Sequence, residues 1–177
     1  QFMEMALFAS VIFSDEEMQL SSVKAVDNSY PLIGLLELEN SEGVYSTKSN
    51  PKPGTVWMDE RLQNLLKVKY GDEVYIGDKS FIFTDTINYE PDRASGNFSF
   101  APKTIMNMSD LESTQIIQPG SRVEYNYLFA GPENEILSIR NFLEEIKESG
   151  DEIEMLDEDS SSLGRAVDRS ENFFLLG

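Results

Sequence analysis

At 177 residues the chain has room for one domain with a sizeable insertion, and a chain of that size hides roughly two-thirds of its unfolded surface on folding. Its 14 basic and 32 acidic residues give a net charge of -18, which argues against DNA, RNA and anionic lipid as partners, because a Lys/Arg surface holds each of these. The absence of cysteine and histidine excludes disulfides, thiol nucleophiles, the Ser-His-Asp triad and Cys- or His-based metal sites, leaving only carboxylate, Lys, Tyr or Ser/Thr chemistry.

Met5 to Phe13 and Met18 to Val26 are β-prone runs around the polar turn Ser14-Asp15-Glu16-Glu17, which predicts a hairpin. The first run is apolar on both faces and reads as a buried strand. Ser21, Ser22 and Lys24 place one side of the second run in water. Asn28-Ser29-Tyr30-Pro31 then breaks the chain direction. From Leu32 to Lys48 a weak strand pair is expected, with Glu37 and Glu39 alternating against Leu36 and Leu38. Asn50 to Gly54 is a rigid loop and Val56-Trp57-Met58 a short strand. Asp59 can cap a helix running through Leu66, with Leu62, Leu65 and Leu66 on one face. Tyr70-Gly71-Asp72 turns the chain into Glu73 to Ile76, and Gly77-Asp78 is a two-residue hairpin signal before Phe81 to Tyr89. Pro91 to Pro102 reads as a loop, and a short helical turn is expected near residues 104–113.

The texture changes after Pro119-Gly120. Val123, Tyr125, Tyr127 and Phe129 alternate against polar residues as in a strand. Gly131-Pro132-Glu133 opens a helix with acids at its positive end. Ile136, Ile139, Leu143 and Ile146 form its apolar stripe with Phe142 alongside, Gly150 stops it, and Ile153 and Met155 mark a half-buried strand. The result is a β-α-β unit. Residues 133–159 hold 11 acids and 2 bases, so their net -9 is half of the total, and this reads as a solvated face. Asp151, Asp157, Glu158 and Asp159 lack the spacing and glycine of a calcium loop, so no metal site is assigned.

No residue set stands out as catalytic. Asp59/Glu60 and Asp72/Glu73 sit at a helix start and a turn, where acids serve as caps. Gly71, Gly77 and Gly96 form no phosphate-cradling loop. Asp92-Arg93 reads as a local ion pair or turn. Phe98, Phe100 and Pro102 read as a loop folded over its own core, with a partner surface as the alternative. The seven methionines, scattered as they are, read as core filling. No stretch is long and apolar enough to span a bilayer, and a chain that opens on Gln1 reads as an excised piece of a longer protein.

Several segments carry a resemblance when taken in order: Val23 to Leu32, Gly54 to Asp59, Val68 to Asp72 with Ile76-Gly77-Asp78 and Phe81, Glu90 to Arg93, Ala101 to Lys103, Pro119 to Val123, and Leu163 to Glu171. Together they resemble the first periplasmic domain of ABC transporter permeases of the YbbP type, within the MacB/FtsX/LolC-like permease superfamily. Ile33 departs from that pattern, which has a basic residue after Tyr-Pro-Leu. The family's opening strand and helix would precede Gln1.

The resemblance implies an α+β, two-lobed MacB-like periplasmic core domain. Residues 1–31 and 121–160 would form a sheet-plus-helix, porter-like lobe, and 32–120 an inserted β-rich, sabre-like lobe. Residues 161–177 would form a helix leading toward the next transmembrane span. It further implies a non-catalytic domain in the periplasm, part of a bacterial inner-membrane permease, with no cofactor. That domain would relay ATP-driven motion of the membrane helices to a hydrophobic or lipid-like cargo or a periplasmic partner. The implied partners are a cytoplasmic ATPase subunit, the second periplasmic domain of the same permease, and a periplasmic esterase or hydrophobic cargo. Two other readings stay open: a carboxylate-based hydrolase with two carboxylates in a cleft, and a ligand-binding module with an apolar pocket of ~300–1,000 Å³ between the lobes.

Overall fold

The computed structural model describes residues 1–91, 100–156 and 171–176, with 154–156 and 171–176 as backbone. In chain order the strands are β1 (Phe2–Phe13), β2 (Met18–Val26), β3 (Leu36–Asn40), β4 (Gly43–Thr47) and β5 (Thr55–Asp59). Helix α1 (Glu60–Leu66) follows, then β6 (Glu73–Ile76), β7 (Lys79–Tyr89), β8 (Lys103–Asn107) and two 3-10 turns. The chain continues with β9 (Glu124–Pro132), α2 (Glu133–Ile146), β10 (Ile153–Leu156) and β11 (Glu171–Leu176). Among the described residues these strands join in one sheet of order β10-β11-β9-β1-β2-β8-β5-β7-β3-β4, with β6 bridging β1 and β7.

Local signals place most of these elements where expected. β1 and β2 form the antiparallel hairpin, closed by the Ser14 amide donating to the Glu17 carbonyl at 2.8 Å. Leu36 and Leu38 are buried while Glu37 and Glu39 face water. Asp59 caps α1, its Oδ1 accepting from the Leu62 amide at 2.8 Å, although Leu65 on that helix is exposed. Ile76 pairs with Lys79, so Gly77-Asp78 is the two-residue turn. Gly77 has φ +56, and a Cβ there would lie 2.1 Å from the Thr114 carbonyl oxygen, so only glycine fits.

Two expectations fail around β8. Residues 103–107 are a strand, and the helical turns begin only at Met108. β8 lies parallel to β2 on one side and antiparallel to β5 on the other, which makes β2 an interior strand. Ser21 and Lys24 are therefore buried rather than solvated. Ser21 is satisfied there by the Pro102 carbonyl and the Thr104 hydroxyl, each at 2.8 Å. A parallel neighbour contributed from 80 residues away leaves no local trace.

The apolar interior links the hairpin to the middle of the chain. One cluster unites Ala6, Phe8, Ile12 and Val23 with α1 and Phe81, Phe83 and Met106. A second unites Met3, Met5, Leu7 and Tyr30 with Leu36, Leu38, Trp57 and Leu128. The hairpin thus shares its two main cores with the 32–120 segment, and it meets the 121–156 unit through the β1–β9 ladder. A third, smaller core packs Ile136 and Leu143 of α2 against Phe129 and Ile153.

The expected helix over 161–177 is corrected at its end. Residues 157–170 lie outside the described residues, and 171–176 form β11 between β9 and β10, antiparallel to both. β9 and β10 are therefore parallel, joined by α2 with β11 between them. A four-residue apolar run such as Phe173-Phe174-Leu175-Leu176 carries no period that separates strand from helix, and here the open ladder positions decide. No helix among the described residues is long and apolar enough to cross a membrane.

Candidate functional site: an uncovered apolar sheet face

The acid pairs singled out in the sequence are occupied structurally. Asp59 accepts the Leu62 amide through one oxygen and the Lys103 amide through the other, at 2.8 and 2.9 Å. Asp72 accepts the Lys69 amide at 2.7 Å, and Glu73 accepts the Tyr75 hydroxyl at 3.0 Å. Among the described residues no three acids cluster to hold a metal ion. Asp151 accepts the Glu148 amide at 3.0 Å, while Asp157, Glu158 and Asp159 lie outside the described residues. Gly96, Asp92-Arg93 and Phe98 also lie outside them.

A buried ionic cluster centres on Glu90. Its Oε1 accepts from the Lys24 ammonium and, at 2.6 Å, from the Tyr30 hydroxyl, and its Oε2 from Lys103 at 3.3 Å. Burial pushes this carboxyl up. The charges of Lys24 and Lys103, with hydrogen bonds from Lys24 and Tyr30, outweigh that and hold it below its usual range. The cluster ties β2, the end of β7 and the start of β8 together. Sequence reasoning missed it, and the available signal was a lysine standing within an apolar strand.

A second feature is apolar. On one face of β2, β1, β6 and β7 the ladder sets Met18 beside Phe13, Phe13 beside Tyr75 and Leu20 beside Val11, with Ile82 beside Glu73. Met18, Leu20, Val11, Phe13, Tyr75 and Ile82 are between 37% and 68% exposed. Their neighbours on the opposite face, Ile12, Val74, Ile76, Phe81 and Phe83, are in the core. The strip continues the face that carries Met3, Met5 and Leu7, which lies covered in the second core and emerges into solvent at Val11. The expectation that β1 is buried on both sides thus holds only for its first half.

Acids rim this strip. Asp15 and Glu16 stand in the hairpin turn and Glu73 on β6, and among the described residues none of the three has an ion-pair partner. The Tyr75 hydroxyl is held above its usual range by its hydrogen bond to Glu73 and that carboxylate's charge, with Asp15 adding to both. Beside the hairpin an open groove of about 500 Å³ is lined by Gln19, Leu20, Arg61, Leu65 and residues 100–102. Phe100 is 91% exposed at its lip, where Arg61 donates to the Phe100 carbonyl at 2.7 Å. Phe100 therefore does not fold over the core as expected, whereas Pro102 does.

No family model matches the chain. The fold is that of the extracellular domain of the noncanonic ABC-type transporter YknZ from Gram-positive bacteria, at a TM-score of 0.53 and 12% identity, over 82% of this chain and 75% of that one. In sequence, YbbP of Escherichia coli (strain K12), an uncharacterized ABC transporter permease, is 36% identical over 169 residues, or 96% of this chain. The chain is an extracytoplasmic domain of the YbbP type. It spans about one fifth of YbbP, 20% of its length.

Proposed function

We propose that this chain is the non-catalytic periplasmic part of an ABC permease, relaying ATP-driven motion of membrane helices to a hydrophobic cargo or a periplasmic partner. The observation that carries this is the 36% identity to YbbP along nearly the whole chain. Two features support the relay. β1 and β11 flank the same strand, β9, so motion applied at either enters one hydrogen-bonded ladder. β1 also carries Val11 and Phe13 of the exposed strip, so the ladder ends on the contact face. Support for a non-catalytic role comes from the acid pairs, whose oxygens accept hydrogen bonds as caps and turn ligands.

The groove beside Leu65 and Phe100 favours a second contribution, contact with an apolar ligand, because its volume of about 500 Å³ suits a small molecule. The test is a full permease reconstituted with its ATPase in vesicles, with and without residues 1–177. ATP hydrolysis should persist without the domain, while ATP-dependent release of a fluorescent fatty-acyl probe should stop. Release that continues undiminished, or ester turnover by the 177-residue chain, would refute the reading.

A further inference from the structure

We propose that the strip formed by Leu20, Val11, Met18, Phe13, Tyr75 and Ile82 is the seat of a basic amphipathic helix from a partner protein. The inference rests on the reading of this face as a contact surface and names what covers it. Six large apolar side chains exposed on one register-defined face, in a chain of net charge -18, are not scattered surface residues.

The shape selects the occupant's size. Four strands at ~4.8 Å spacing give a face ~14 Å across, and its rows, Leu20 with Val11, Met18 with Phe13 and Tyr75, and Ile82 with Glu73, span ~14 Å along the strands. A helix ~10–12 Å wide covers that area with two to three turns. The face is a flat run of ladder, so a small molecule lying on it would stay largely in water, whereas a packed element would not. Within this chain, helices cover the sheet elsewhere: α1 packs on β2, β5 and β7 in the first core, and α2 over Phe129 and Ile153. The strip lacks such a layer among the described residues.

Charge selects the chemistry. Asp15 and Glu16 in the hairpin turn and Glu73, which the antiparallel register sets level with position 15, stand along one edge of the strip, without ion-pair partners among the described residues. A helix with leucines at i, i+3, i+4 and i+7 and Lys or Arg on its flanks meets both the apolar rows and these acids. A second copy of the chain would bring the same acids and the same -18 charge against them. An anionic bilayer is opposed by the same carboxylates.

The probe is a dye-labelled 14-residue Leu/Lys peptide of helical period, titrated by fluorescence anisotropy into the 177-residue chain at physiological salt. Two controls accompany it: the same residues scrambled to remove the period, and the periodic peptide with Glu in place of Lys. The periodic basic peptide should bind, and both controls should bind at least about tenfold more weakly. Phe13→Ser with Met18→Ser should weaken binding at least about tenfold, and Asp15→Asn with Glu73→Gln about threefold or more. Ile82→Ser serves if the hairpin variant shifts the urea midpoint. Equal binding of the scrambled peptide, no binding of the periodic one, or indifference to the strip substitutions would overturn the proposal. The parent reading is separable: it stands or falls on whether ATP-dependent release by the full permease stops without residues 1–177, whatever the peptide does.

Discussion

Glu90→Gln tests what holds the middle of the sheet. The substitution keeps an acceptor for the Tyr30 hydroxyl and removes the charge, leaving the buried Lys24 ammonium without its carboxylate. Breaking a buried pair from one side costs about 3–5 kcal/mol, because the surviving charge stays desolvated. For a chain of this length each kcal/mol moves Tm by about 2–4 °C, so the drop should be roughly 6–20 °C. Lys24→Met in the Glu90→Gln background removes the buried ammonium as well, and the double variant should recover to within about 1 kcal/mol of the parent. Lys103, whose side chain is nearly half exposed, keeps its hydration throughout. Urea unfolding of the four proteins closes the double-mutant cycle. The pH dependence has a definite sign. The Glu90 carboxyl is lower in the folded chain than its unfolded value of 4.5, so its contribution is complete above that pH and is lost as pH falls toward the folded value. The gap between parent and Glu90→Gln should therefore be widest at neutral pH and narrow below about 4.5. A single-variant loss under about 1 kcal/mol, or a double variant as unstable as the two singles summed, would refute the argument.

Gly77→Ala should cost at least about 2 kcal/mol, because its Cβ would overlap the Thr114 carbonyl at a positive φ. Gly43→Ala, with open space around it, should cost only about 1 kcal/mol in the same urea series. Asp59→Ala should lose about 1–2 kcal/mol through the α1 cap, while Asp59→Asn, which keeps an acceptor for the Leu62 amide but loses the one for the Lys103 amide, should lose less. Neither Asp59 variant should change background rates on ester, phosphate or glycoside substrates, and a turnover abolished by Asp59→Asn would remove the cap assignment.

What was legible in the sequence was what local chemistry fixes. The Asp59 cap, the Gly77-Asp78 turn and the Leu36/Leu38 alternation each depend on a few adjacent residues, and each stands in the structure. Lys24 illustrates the limit. Its polarity pointed to solvent, yet the parallel pairing of Lys24 with Ile105 closes that side of β2 and brings Glu90 to it. The strand at 103–107 was missed for the same reason, since a short run such as Lys-Thr-Ile-Met-Asn becomes a strand only when β2 and β5 stand on either side. The apolar strip was hidden by the opposite error. Val11 and Phe13 look like core because they are apolar, and nothing local says that the layer covering Met3 to Leu7 stops before them.

That last point bears on why the strip persists. Apart from Met18, each of its residues stands next to one that is packed in the core, so the face could carry polar side chains without disturbing the core beneath it. Exposed apolar side chains gain nothing for folding while they stay in water, since the stabilisation comes from area removed from it. Their free energy is realised only when another surface arrives. The hairpin that bears them is held rigidly from below, by Ser14 donating to the Leu66 carbonyl at 2.8 Å and by the β1–β6 ladder, so its rows are ordered before any partner docks. A preorganised apolar face loses little conformational entropy on association, and the partner's ordering then carries most of the cost. In the proposed relay this is the arrangement required at the receiving end: β1 is fixed to β9 at one end and presents the strip at the other, so displacement of the ladder moves the contact face as a unit.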